Sequence, residues 1–272
     1  MGTMFPSPHE KKKVMDPHPS QPRKAVISSE LAWHEQEAHR RFSLDAFLYD
    51  PPVFDRLVEA GIDFLQAAPG ETVFDVGCGE GKETLLLAQR GLKVIATDLS
   101  HQQILRARQL LAQAGLEGQV LFVQANAEEL PFAGQACRAV YGKAILHHLE
   151  IGLAGREIGR VLAQGGRATF AEPMAQHPLF WLGRALTPRL RTKDEHPLPF
   201  AELRRFGGFF RQQQVEEYFL LAPLAYPLRL LPGGEGLFRR LHAALVRVDG
   251  WLFRALPALK DLAWYGLVKV VK

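Results

Sequence analysis

The chain has 272 residues, of which 47% are hydrophobic and 23% charged, and a formal net charge of +4. That length and apolar share are enough for one sizeable core carrying added elements, so a single elaborated domain is expected. Only two cysteines are present, Cys78 and Cys137, far apart in sequence. This excludes a disulfide framework or a zinc cluster and favours a reducing, cytoplasmic setting.

Residues 1–28 are rich in Pro, Ser, His and Lys, include the run Lys11-Lys12-Lys13 and show no apolar period, so they read as a disordered leader. No apolar core follows the basic run, which argues against a signal peptide, and Pro6 stands where a myristoylation signal needs Ser or Thr. Residues 29–68 read as a helical cap. Ser29 is placed to cap a helix over 30–41, and Asp50-Pro51-Pro52 opens a second helix running to about Ala67.

Val73-Phe74-Asp75-Val76 then runs into Gly77-Cys78-Gly79-Glu80-Gly81, and a helical pattern starts at Thr84. This spells a strand, a tight turn and a helix N-terminus, a place where ligands meet backbone. A P-loop needs four residues between its glycines and Ser or Thr after the lysine, but Glu83 follows Lys82. A dinucleotide fingerprint needs glycine where Lys82 stands. Asp75, two residues before the first glycine, suits an ammonium group better than a pyrophosphate.

Lys93 to Thr97 is a second strand and ends in Asp98, an acid positioned to accept both hydroxyls of a ribose, with Leu99 beside it. Val120 to Gln124 is a third strand, and Asn126 after it offers an amide to an adenine edge, next to Ala127, Glu128 and the stiff segment Leu130-Pro131-Phe132. Further strands near 137–142 and 167–172 alternate with helices near 82–90, 101–114 and 151–163. Such alternation predicts a mainly parallel sheet covered on both faces, with ligands at the carboxyl ends of its strands.

The motifs Asp75 to Gly81, Asp98, Asn126 to Phe132, Ala144-Ile145-Leu146-His147-His148-Leu149 and Glu157 to Gly166 resemble, in order and spacing, those of class I S-adenosylmethionine-dependent methyltransferases. The branch they are most similar to includes quinone-biosynthesis and other small-molecule methyltransferases. The resemblance covers about residues 69–172. It implies a doubly wound, Rossmann-like α/β sheet of seven strands and S-adenosyl-L-methionine as cofactor, held by Asp75, Gly77, Cys78, Gly79, Gly81, Asp98, Leu99, Asn126, Ala127, Glu128 and Lys143. Lys143 and Ala144 would flank the methionine part. His147 and His148 fall where resembling enzymes place groups between cofactor and acceptor, and an imidazole there can take a proton near neutral pH. Neighbours on an extended segment face opposite ways, so one of the two is expected to reach the acceptor and a metal site is not expected. The cap residues Trp33, His34, Phe47 and Tyr49 would fold over the cofactor.

The methyltransferase domain is expected over 69–272, with lid insertions near 173–200 and 222–262. A helix at 199–209, a strand at 213–221 and a closing strand at 263–271 complete it. Residues 175–272 hold fifteen Lys and Arg against eight Asp and Glu, which leaves the rest slightly acidic. In the second insertion Leu237, Leu241, Leu245, Val248, Leu252, Leu256 and Leu259 recur at helical spacing, and Arg240, Arg247 and Arg254 every seven residues. This predicts a helix with an apolar and a basic stripe, broken by Gly250 and Pro257 into shorter pieces. The lid's apolar underside would select a small lipophilic acceptor (quinone, polyketide or lipid-like) for O- or C-methylation, with peripheral membrane contact as the other use of the stripe. Two alternatives stand beside this reading. One is an RNA- or tRNA-modifying methyltransferase, which the absence of an RNA-binding module and of an Asn-Pro-Pro-Tyr segment disfavours, so no nucleic-acid partner is expected. The other is a non-catalytic cofactor-fold partner protein, disfavoured by the intact glycines and both acids.

Overall fold

A computed structural model describes residue 28, residues 51–179 and residues 198–272. The leader, the helix over 30–41, the aromatic cap residues Trp33, His34, Phe47 and Tyr49, and most of the first insertion with His196 lie outside the described residues.

Helix α1 (Pro51–Leu65) precedes strand β1 (Thr72–Val76), α2 (Lys82–Gln89), β2 (Lys93–Asp98), α3 (His101–Gln113), β3 (Val120–Gln124) and β4 (Cys137–Lys143). Then follow α4 (Ile151–Val161), β5 (Leu162–Pro173), α5 (Phe200–Gly207), β6 (Gln212–Tyr218), α6 (Glu235–Ala255) and β7 (Tyr265–Val271). The seven strands form one sheet in the order β3-β2-β1-β4-β5-β7-β6. Pairs among β1 to β5 are parallel, whereas β7 runs antiparallel to both β5 and β6. The sheet is the doubly wound α/β architecture that the alternation predicts.

Alternate residues of each central strand feed two cores. Val73, Ala139 and Tyr141 pack with α1, α2 and α3 through Phe54, Leu57, Leu87 and Leu111. Phe74, Val76 and Val140 pack with α4 and α5 through Ile151, Ile158, Phe200 and Phe206. Strands buried on both faces read as continuous apolar runs, which is why β1, β2 and β4 are rich in Val, Ile, Ala and Phe. The chain leaves β1 toward β2 and β3 on one side and reaches β4 and β5 on the other. The crevice at this switch point, outside the carboxyl ends of β1 and β4, is where such sheets bind ligands.

Residues 222–262 connect β6 to β7. They comprise a 3-10 segment (Ala222–Leu230), α6 and a second 3-10 segment (Pro257–Leu262). Because Tyr218 pairs with Tyr265 and Tyr265 with Pro173, this connection sits at the carboxyl end of β5, the same end as the crevice. Gly250 does not break the helix as expected: α6 is continuous for 21 residues and ends only at Ala255, before Pro257. One glycine in a helix costs about 1 kcal/mol, and here packing of Phe238, His242 and Phe253 against the body outweighs it. No helix among the described residues is long and apolar enough to cross a membrane.

Candidate functional site

The glycine turn has Gly77, Gly79 and Gly81 all at positive φ, a conformation that side chains resist. Their reasons differ, although the resemblance places all three among the residues that hold the cofactor. A Cβ on Gly77 would meet Ile145 at 2.7 Å, and one on Gly81 would meet Ala107 of α3 at 2.7 Å. Those two glycines let protein segments close on each other. Only at Gly79 would a Cβ meet nothing within 4 Å, so this glycine alone opens toward free space.

The turn is fixed from β2. The carbonyl of Thr97 accepts the N–H groups of Gly77 at 2.8 Å and Cys78 at 2.9 Å. Asp98 accepts the N–H of Gly79 through Oδ2 at 2.8 Å and that of Ser100 through Oδ1 at 2.9 Å. Burial pushes the Asp98 carboxyl above its ordinary range, and these amide bonds oppose the shift. Asp98 therefore ties the glycine turn to the start of α3, where Ser100 caps the helix by accepting from Gln103. Leu99 lies half-buried next to it, its carbonyl accepting from Gln124 at 3.0 Å. Cys78 is buried, its thiol also raised by burial, so any ligand contact from this residue is through its backbone.

Asp75 is 2% exposed and accepts the hydroxyl of Thr84, in the first turn of α2, at 2.5 Å. Burial pushes its carboxyl up to about 7, with Glu83 and Asp98 adding repulsion and Thr84 opposing. Thr84 and Glu83 belong to the site without having been singled out in sequence. The signal was available, since an acid at the end of a strand and a hydroxyl in the first turn of the next helix are natural partners. Glu83 in turn pairs with Lys143 at the end of β4, at 2.5 Å, and the Lys143 ammonium lies 5.6 Å from the centre of the Phe54 ring.

After Lys143 the chain turns sharply. Ala144 has φ +53°, costly for a residue with a Cβ. What holds it is Glu172, wholly buried at the end of β5. Oε1 of Glu172 accepts the N–H groups of Ile145 at 2.9 Å and Leu146 at 2.8 Å, and Oε2 lies 2.8 Å from Nδ1 of His147. In the tautomer that carries its proton on Nδ1, the ring donates to the second oxygen and Nε2 is left as an acceptor. His147 and His148 do not face opposite ways as expected. They occupy a 3-10 turn (Leu146–His148), and their ring centres are 4.1 Å apart. The extended-segment rule fails because Glu172 gathers the amides of Ile145 and Leu146 into a turn. The two imidazoles therefore lie against each other on one side of the segment.

On the β3 side, Oδ1 of Asn126 accepts the N–H of Glu128 at 3.0 Å, closing a local turn, and Ala127 is buried. Glu128 accepts the N–H of Glu150 at 2.6 Å, just before α4, so its carboxylate has a structural partner. Leu130 points into the core, its N–H bonded to Glu157 at 2.7 Å, and Phe132 packs on Phe74 with ring centres 4.7 Å apart. His177 is buried, and its Nε2 lies 2.9 Å from the carbonyl oxygen of Leu220. Among the described residues no group of three or more His, Cys, Asp or Glu is set to hold a metal ion.

The sheet order and this turn resemble those of class I S-adenosylmethionine-dependent methyltransferases. Residues 74–170 match the family model described as "Methyltransferase domain". Over 132 residues the chain is 34% identical to the methyltransferase GfsG of Streptomyces halstedii, covering 45% of this chain and 48% of that protein. It is 36% identical over 129 residues to the O-methyltransferase cnsE of Penicillium expansum, covering 46% of each. The chain thus spans about half the length of these curated relatives. Among solved structures, geranyl diphosphate C-methyltransferase of Streptomyces coelicolor A3(2) superposes with a TM-score of 0.58 at 16% identity, over 94% of this chain and 99% of that one. At that identity the likeness concerns the fold.

Proposed function

We propose that this protein transfers a methyl group from S-adenosylmethionine to an oxygen or carbon of a small, largely apolar acceptor, with His147 as the base. What supports the proposal is that three features lie at the carboxyl ends of the parallel strands. These are the open side of Gly79, the Asp98 carboxylate, and the Glu172–His147 pair. Bound there, the cofactor supplies an activated methyl group.

In this reading Asp98 holds the ribose hydroxyls and Gly79 admits the ligand to the backbone. Asp75 and Lys143 border its amino-acid end, and Leu99, Asn126, Ala127 and Glu128 border the adenine. Cys78 contributes backbone only, while Gly77 and Gly81 shape the turn. His147 removes the acceptor proton through Nε2, and Glu172 keeps the ring oriented and stabilises the imidazolium that forms. Positioning supplies most of the acceleration in such a transfer, and the base contributes about 10²- to 10⁴-fold when the acceptor must lose a proton. Oxygen and carbon acceptors are favoured by the named relatives, an O-methyltransferase and a geranyl diphosphate C-methyltransferase.

The test is incubation of the purified chain with methyl-labelled S-adenosylmethionine and a panel of phenolic, quinol, polyketide and prenyl acceptors. Label transfer lost in His147→Ala supports the reading. Label transfer only to RNA, or to no acceptor despite cofactor binding, would replace it with one of the alternatives.

A further inference from the structure

Helix α6 is apolar on two sides. Its inner face buries Phe238, His242, Asp249 and Phe253 against the body. Yet Leu237, Leu241, Val248 and Trp251, spaced 4, 7 and 3 residues apart, are exposed, Trp251 by 60%. Each residue advances about 100° around a helix, so these four fall within one sector roughly 80° wide, adjoining the buried one. The stripe expected to close over the pocket is thus divided, with Leu245 turned toward the core and Leu237, Leu241, Val248 and Leu256 turned outward. The preceding 3-10 segment packs on α6 and its exit adds Leu230, 73% exposed, and Leu231. A contiguous apolar patch of this kind marks an interaction surface.

Charge says what the surface meets. Arg240, Arg247 and Arg254 lie along one edge of the apolar sector, exposed, and form no ion pair among the described residues. Beyond Glu235 the single acid of α6 is Asp249, and it is buried. Its carboxylate accepts the N–H groups of Leu220, Leu221 and Ala222 at 2.8 to 3.2 Å, locking the helix to the end of β6. The outer face from Gly236 onward therefore carries positive charge alone. A second copy docked through the same stripe would bring arginine rows together with no acid between them.

We infer that the outer face of α6 docks on an anionic lipid bilayer, with Leu237, Leu241, Val248 and Trp251 in the interface and Arg240, Arg247 and Arg254 against the headgroups. An amphipathic helix of about 32 Å lying in the surface plane fits this use, and tryptophan is favoured at the headgroup level. The inference deepens the proposed function, because α6 sits at the crevice end of the sheet and the bilayer is where a lipophilic acceptor would be collected.

The full chain is sedimented with phosphatidylcholine vesicles and with phosphatidylcholine–phosphatidylglycerol vesicles. The expected result is salt-sensitive binding to the anionic vesicles alone. It should weaken on the order of a hundredfold in an Arg240→Ala, Arg247→Ala, Arg254→Ala variant, at about fivefold per arginine, and also fall in Val248→Ser, Trp251→Ser. Circular dichroism and S-adenosylmethionine titration of both variants should match the parent, since every altered side chain is exposed. No vesicle binding, binding undiminished from the parent's in both variants, or a dimer that the serine variant dissolves would each overturn the docking. Retained cofactor binding in those cases leaves the proposed function standing, whereas lost cofactor binding in the parent chain overturns that reading first.

Discussion

The two halves of the sheet solve different problems. From β1 to β5 the strands are parallel, and their carboxyl ends concentrate acids in or beside buried backbone: Asp75, Asp98 and Glu172. Across β6 and β7 the strands are antiparallel, and the connection between them exposes leucine, tryptophan and arginine. In the first half each carboxylate is assigned by the hydrogen bonds it accepts, so chemistry is local and geometric. In the second, one buried carboxylate, Asp249, fastens a helix whose outer face is free to meet something large. In the proposed function, the difference separates a cofactor site built from short-range motif residues from an acceptor side built from packing.

The sharpest way to break this comparison is at the glycines. Gly81→Val should destabilise the protein by on the order of 3 kcal/mol or more, because its Cβ would enter Ala107 and its φ is +84°. A Cβ at Gly79 meets nothing within 4 Å, so Gly79→Val should cost less stability than Gly81→Val, its strain confined to the φ of +51°, and lose more S-adenosylmethionine affinity. Thermal melts and cofactor titrations of the pair would show the two losses trading places, and equal melting losses with equal affinities would remove Gly79 from the site.

Next in size is Glu172. Glu172→Ala leaves two amides and an imidazole without their acceptor, at about 1–3 kcal/mol each for a buried unsatisfied group. Glu172→Gln keeps an acceptor and should fold, yet lose turnover through misorientation of His147. His147→Ala should lower turnover roughly 10²-fold or more with cofactor affinity unchanged, while His148→Ala, which lacks the bond to Glu172, should lower it less. Identical small effects of both histidine variants would mean that positioning alone drives the reaction.

A smaller effect is expected from pH. In the free protein the Asp75 carboxyl is pushed up to about 7 by burial, and an ammonium beside it would favour the charged form. Cofactor affinity should therefore fall as pH drops below 7, by at most about tenfold per unit, and Asp75→Asn should flatten that slope. Stability of the free protein runs the other way. The folded state holds this proton more tightly than the unfolded chain, so the contribution is full below 3.8 and declines as pH rises through about 7. A cofactor affinity independent of pH between 5 and 8 would detach Asp75 from the ammonium.

The parallel half was legible in sequence because strand, glycine turn and helix are contiguous there, and each acid lies within the last two residues of its strand. What sequence could not show is how distant segments share work. Glu172 is 25 residues beyond His147, and only the pairing of β4 with β5 brings its carboxylate under the turn that places both imidazoles on one side. The three glycines look equivalent in sequence, and what separates them is Ile145 and Ala107, contributed from elsewhere. In α6 the periodicity was visible but its direction was not, since Phe238, His242 and Phe253 took the inner face and turned much of the leucine stripe outward.

Calorimetric titration of S-adenosylmethionine into the parent chain and into Asp98→Ala tests the central claim most directly. A single site is expected, weakened by on the order of 1.5–3 kcal/mol in the variant, the worth of hydrogen bonds to a charged group, with the melting temperature of the variant showing that it folds. An absence of binding in the parent chain, or equal affinity in a folded Asp98→Ala, would contradict it.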